Sequence, residues 1–160
     1  MSKPKTILIP TDFRVASLNT LRWALEQLEE PVVNVVLLHC ERLTDSITER
    51  LFYSPERMIG DLLTTDFNDA ISILTNHFAH KIGEIKIELF HGGVQNTFDT
   101  LLHTLGVDII YVPRFYRLYV PKRAFDPLPY IQRTTISHQE IAWIPQDVPI
   151  HEDRLEHLFL

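Results

Sequence analysis

A single cysteine, Cys40, stands among the 160 residues, so the chain has no intrachain disulfide, zinc ribbon or paired-cysteine redox motif. That fits a reducing compartment, and a cytoplasmic location is expected. Glycine is also sparse: five residues, none beyond Gly106, with 45% hydrophobic and 22% charged residues, which excludes collagenous, fibrous and disordered chains. No run of 18 apolar residues occurs, and Met1-Ser2-Lys3-Pro4 leads directly into a strand-like segment, so neither a membrane span nor a signal peptide is expected. Basic residues are in deficit, 15 Lys and Arg against 21 Asp and Glu; a net charge of -6 disfavours anionic lipid and nonspecific nucleic acid as partners. Four catalytic signatures are missing as well: Gly-x4-Gly-Lys-Ser/Thr, Gly-x-Ser-x-Gly, His-Glu-x-x-His and Gly-x-Gly-x-x-Gly. No catalytic residue is assigned, and the chain reads as one noncatalytic domain.

What is present is alternation. Short β-branched runs at 6–10, 32–40, 85–90, 107–112 and 140–144 are apolar enough to be covered on both faces and read as five strands. Between them lie helical spacings: Leu18, Leu21, Leu25 and Leu28; then Leu63, Phe67, Ala70, Ile71, Leu74 and Phe78; then Phe98, Leu101, Leu102 and Leu105. A fourth, weakly periodic helix is expected within 126–138, where Pro127 suits a first turn. Crossovers of this length favour parallel pairing, giving a doubly wound α/β sheet with helices on both faces. Residues 41–58 are polar, contain Pro55 and read as a surface loop or lid. The domain spans 1–145; the tail 146–160 begins with a proline-flanked spacer and carries Leu155, Leu158 and Phe159 at helical spacing, fit to dock on its own domain or on a partner.

In open α/β sheets a ligand crevice lies beyond the carboxyl ends of the strands. The corners there are Pro10-Thr11-Asp12, His39-Cys40, His91-Gly92-Gly93 and Pro113-Arg114. The run Lys5-Thr6-Ile7-Leu8-Ile9-Pro10-Thr11-Asp12-Phe13, the helix from Ala16-Ser17-Leu18 to Ala24-Leu25, the strand Val35-Val36-Leu37-Leu38-His39 and the later Gly106-Val107-Asp108-Ile109-Ile110 resemble the universal stress protein family. The likeness covers about residues 5–145 and is most specific in the first 40 and near Gly106.

That resemblance implies a Rossmann-like domain of strand order 3-2-1-4-5, a homodimer paired through the final strand, and a role in stress adaptation, often with ATP bound. It assigns Asp12 to the nucleoside and Cys40 to the adenine wall, and it makes His39 a packed strand residue. It also implies a phosphate cradle of the form Gly-x2-Gly-x9-Gly-Ser/Thr after the fourth strand. Those positions fall on Pro113, Tyr116, Asp126 and Pro127, and none matches. A cradle needs backbone N–H groups close to phosphate oxygens. Proline has no N–H, tyrosine adds bulk, and a carboxylate repels the polyphosphate. ATP is therefore not expected to bind in the family's usual way, and no cofactor is assigned.

Each residue has a plainer reading beside the functional one. Asp12 contacts a nucleoside or accepts hydrogen bonds from nearby first-helix amides. Asp12, His39 and His91 offer mixed metal-ligand types, but their spacing does not support a site, and no metal is assigned. His77 and His80 suit a solvated helix face. Cys40 reads as a small core residue. Arg114, Arg117, Lys122 and Arg123 interleave with Phe115, Tyr116, Tyr119 and Phe125, a mixture that grips an anion or stacks a base, or packs its rings over the crevice or a subunit interface while its cations stay in water. A receiver domain would need an Asp at the end of the third strand, where His91-Gly92 stands. Two functions follow: a noncatalytic stress-response module acting on a protein partner, with Trp143 in the final-strand interface, or a small-molecule binder using Pro10, Thr11, Asp12, His39, Cys40, Gly92 and Pro113, with Arg114 or Arg117 in place of the cradle.

Overall fold

Alternating side chains along two neighbouring strands fix the architecture. In the computed structural model, which describes residues 3–145 and 152–158, β1 (Lys5–Pro10) pairs in parallel with β2 (Val33–Cys40), Ile7 opposite Val35 and Ile9 opposite Leu37. Those four side chains turn to one face and pack on α1 (Asn19–Gln27) and α4 (Thr65–His77) through Leu21, Ala24, Leu25, Phe67, Ala70 and Leu74. Leu8, Val36 and Leu38 turn to the other face, against Phe98 and Leu102 of α5 (Gln95–Leu105) and Ile131 of α6 (Leu128–Arg133). With period two and cover on both sides, these central strands read as continuous apolar runs. Each fully buried aliphatic side chain contributes about 1.5–3 kcal/mol before entropy.

β3 (Ile82–Phe90), β4 (Ile109–Pro113) and β5 (Ser137–Ile141) complete a five-stranded parallel sheet of order β3-β2-β1-β4-β5, as expected. α5 ends on Gly106 at φ 69°, whose N–H reaches the carbonyls of Leu102 and His103. This left-handed closure favours glycine. Val107 still belongs to that turn, donating to Leu102 O, and the Asp108 carboxylate accepts the Thr6 amide at 2.8 Å. The fourth strand therefore starts later than the apolar run at 107.

Four expectations need correction. Residues 41–58 are not a plain loop: they hold α2 (Ile47–Leu51) and the start of α3 (Pro55–Leu62). Ser46 and Ser54 accept the amides of Glu49 and Arg57 at these two N-termini, and Pro55 fills a first-turn position. The fourth helix is only six residues long, because Thr134 is already extended and β5 begins at Ser137. The last strand lies at 137–141, not 140–144. As an edge strand it exposes Ser137, His138, Gln139 and Glu140, and the apolar Trp143 and Ile144 that suggested a strand lie past its end. Trp143, expected in an interface, is 2% exposed: its indole N–H donates to Thr20 Oγ1 at 2.8 Å and its ring stacks on Tyr116.

The tail docks on its own domain. A 3-10 turn at Leu155–His157 follows Asp153, whose Oδ1 accepts the Val15 amide at 2.8 Å, and His157 O accepts Asn19 Nδ2 at 2.8 Å. Leu158 is buried in the α1–α4 layer, while Phe159 lies outside the described residues.

Candidate functional site: the carboxyl edge of the sheet

Parallel strands bring the four corners to one edge, and the segment after β4 crosses it. From Pro113 the chain passes over the end of β1, then β2, then β3 before entering α6. At β1, Asp12 is buried and its carboxylate is fully engaged. Oδ1 accepts the Arg14 amide at 3.0 Å, while Oδ2 accepts the Tyr116 hydroxyl at 2.5 Å and the Tyr119 amide at 2.9 Å. The neighbouring amide alone would make the Asx turn expected of a structural Asp. Two further donors come from residues more than a hundred positions away in the chain. Phe13, at φ 61°, turns the backbone sharply out of β1, and Thr11 Oγ1 braces the bend by accepting the Phe13 amide and meeting Ser17 Oγ at 3.0 Å. Arg14 lies 4.2 Å from the centre of the Tyr119 ring. Burial first, then the Asp12 charge, pushes the Tyr116 phenol far above the ordinary tyrosine range.

At β2, Ala124 bridges Glu41 in antiparallel sense, Arg42 N donates to Arg123 O at 2.8 Å, and Phe125 N donates to Cys40 O at 3.0 Å. The Cys40 thiol is buried beneath, and burial pushes its pKa well up, away from any nucleophilic role. At β3, Phe125 lies 3.6 Å from where a Cβ on Gly92 would stand, and the Tyr130 hydroxyl donates to Gly93 O at 2.6 Å. The segment 114–125 is thus a strap over the crevice, with Tyr116, Leu118, Ala124 and Phe125 turned in and Phe115 and Tyr119 exposed.

The two strand-end histidines organise the loop after β2. His39 Nδ1 meets Thr11 O at 3.2 Å and its Nε2 meets Glu41 Oε1 at 3.3 Å, with the ring packed edge-on to Phe13. His91 Nδ1 meets Glu41 O at 2.7 Å, and its Nε2 is hydrogen-bonded to the Tyr53 hydroxyl. Among the described residues no three His, Cys, Asp or Glu side chains converge as a metal set. Pro10 and Pro113 are buried strand ends. Neither candidate arginine enters the crevice: Arg114 lies 3.6 Å from Glu140 on the exposed rim, and Arg117 is solvent-exposed. The strap's inward positions next to them are held by Tyr116 and Leu118.

An open cleft of about 400 Å³ lies on this edge, between the loop after β2 and the turn into α5. Arg42, Arg50, Asp45, His91, Gly92 and Tyr130 line it. The sequence reading missed Arg42 and Arg50. Their only sequence signal was the Ser46 cap, which begins the helix carrying Arg50.

The same arrangement of strands and helices recurs in solved structures. The universal stress protein UspA from Lactobacillus plantarum matches with a TM-score of 0.54 and 13% identity, over 88% of this chain and 99% of that one. A universal stress protein family protein from Arabidopsis thaliana, solved with AMP bound, matches with a TM-score of 0.51 and 10% identity, over 92% and 97%. No protein-family model and no curated protein matches the sequence. At such identities the likeness is one of architecture, and the chain has the fold of the universal stress proteins.

Proposed function

We propose that this chain is a universal-stress-protein-like, noncatalytic regulatory or interaction module whose nucleotide crevice is occupied by its own strap, so that ATP does not bind in the family's usual way. The observation that carries the reading is Tyr116 and Tyr119 on Asp12: both donors sit on Oδ2 of the carboxylate that the resemblance assigns to the nucleoside. The positions of the missing glycines point the same way, since Pro113 and Pro127 have no N–H to give a phosphate. The strap meets the core along its length, with Leu118 and Ala124 buried. A ligand at Asp12 has to displace these contacts, and that cost is subtracted from its affinity. A second copy of the chain is the natural occupant of the open β5 edge, whose outward hydrogen-bonding groups have no strand beside them among the described residues. We place the protein in the cytoplasm on its cysteine usage.

The test reads the site directly. In an amide NMR titration with ATP and magnesium, the Arg14 and Tyr119 resonances should stay in place. Saturable shifts of both at micromolar nucleotide, lost in Asp12→Ala, would overturn the reading. Sedimentation velocity at micromolar protein tests the pairing, and a monomer there counts against it.

A further inference from the structure

We infer that the cleft between the loop after β2 and the turn into α5 is a binding site for a phosphate monoester, gripped by Arg42 and Arg50. This site lies at the β2 and β3 end of the edge, away from Asp12, with Phe125 at the end of the strap forming part of its wall.

Three observations carry it. First, two guanidiniums line one cleft and neither takes part in an ion pair among the described residues. Yet both are held. Arg50 Nε donates to Thr44 O at 2.7 Å, which leaves its terminal amino groups for a ligand. Arg42 has its backbone fixed by Arg123 O, and its guanidinium lies 5.6 Å from the centre of the Phe125 ring. The lining thus holds two guanidiniums against one carboxylate, Asp45, in a chain whose net charge is -6. A planar, permanently charged fork matches phosphate oxygens in a way that a lysine does not.

Second, the wall facing the arginines is built on the Gly92–Gly93 turn, with the Phe125 and Tyr130 rings beside it. Gly92 and Gly93 sit at φ 94° and 125°, conformations that disfavour any other residue. His91 adds an imidazole whose ring is fixed by Glu41 O and the Tyr53 hydroxyl.

Third, the size and lining suit an esterified phosphate. About 400 Å³ is within the range of small-ligand pockets, and the Tyr130 and Phe125 rings offer an apolar surface to the organic part. Asp45, also on the wall, opposes an anion and provides a signed control. Removing its charge should tighten binding, an effect that a merely structural role would not produce.

Inorganic phosphate and phenyl phosphate are the probes, with phenol as the uncharged control, followed by amide NMR on the full chain. Both phosphates should shift Gly92 and Gly93 saturably, phenyl phosphate at the lower concentration, with phenol silent. Arg42→Ala and Arg50→Ala should each weaken binding at least about tenfold, Asp45→Asn should strengthen it, and Lys86→Ala should leave it unchanged. Both arginines are exposed, so the variants should fold, and thermal melts verify that they do. Absence of saturable shifts at 10 mM phosphate, roughly ten-thousandfold above the Kd of a micromolar site, overturns the proposal. So does binding that survives the double arginine variant. Because Gly92 and Gly93 report this cleft while Arg14 and Tyr119 report Asp12, failure here and failure of the strap reading give separate signatures.

Discussion

The phenol of Tyr116 and the carboxylate of Asp12, 104 residues apart in the chain, are joined by a hydrogen bond of 2.5 Å. One partner belongs to the first strand turn and the other to a strap that arrives after four strands are laid down. That single contact ties the crevice to the segment covering it.

Tyr116→Phe should therefore cost about 1.5–3 kcal/mol at neutral pH, the range for a hydrogen bond to a charged group, because Asp12 keeps only its two amide donors. The pH dependence has a definite sign. The folded phenol is held protonated far above the unfolded one, so the folded state binds more protons once pH exceeds about 10. Stability from this group is complete below that pH and falls as pH rises, by about 1.4 kcal/mol per unit. Urea midpoints between pH 9 and 11 should decline less steeply in Tyr116→Phe than in the wild type; parallel declines would refute the assignment.

Trp143 gives a second check, on the core. Its ring is buried within one chain, stacked on Tyr116 and bonded to Thr20. Trp143→Ala should lose about 3–5 kcal/mol of stability. It should leave the sedimentation coefficient of the remaining folded protein unchanged. A change of oligomeric state with little loss of stability would return Trp143 to an interface.

Cys40 should be inert in the native state. Burial raises its thiol pKa, so the thiolate that reacts with disulfide reagents is scarce, and access is blocked as well. Ellman's reagent at pH 8 should find no thiol in folded protein and one per chain in guanidinium. Rapid native labelling would contradict the packing of Phe125 over this corner.

Asp153 points the other way from most carboxylates. Burial raises its pKa above the ordinary value of 3.8, against the lowering effects of the Val15 amide and Arg14. Ionising it thus costs stability as pH rises from 3.8 through its folded pKa. Asp153→Asn keeps an acceptor for Val15 and should melt higher than wild type at pH 7. The advantage should vanish in acid below 3.8, where both side chains are neutral.

How far the fold was legible depended on how completely each element is buried. β1, β2 and α4 carry their signal in Ile7, Val35, Leu37, Phe67 and Leu74, all sealed in the core, so period and partner agree. β5 has one neighbour and buries only Ile141, so its true residues looked like a loop and the apolar pair beyond it looked like a strand. α2 has no buried residue; its evidence is a serine cap, which a polar stretch conceals. At the site, the sequence signal over residues 113–127 was the missing glycine pattern. What it left open was the direction of each ring. Tyr116 faces inward only because Asp12 and Trp143 lie beneath it, and neither is near it in sequence. The cleft arginines were invisible for a related reason: Arg42 and Arg50 become neighbours of Gly92 only through the β2 to β3 pairing, in which Cys40 lies opposite Phe90.

The strap's antiparallel bridge from Ala124 to Glu41 has one further consequence. An occupant supplied by the same chain never dissociates into solution, so its presence at Asp12 does not follow the concentration of any metabolite. A bound nucleotide would add a stabilising term that rises and falls with supply. A built-in occupant adds a constant, so on the proposed reading the stability of the folded chain does not vary with nucleotide concentration.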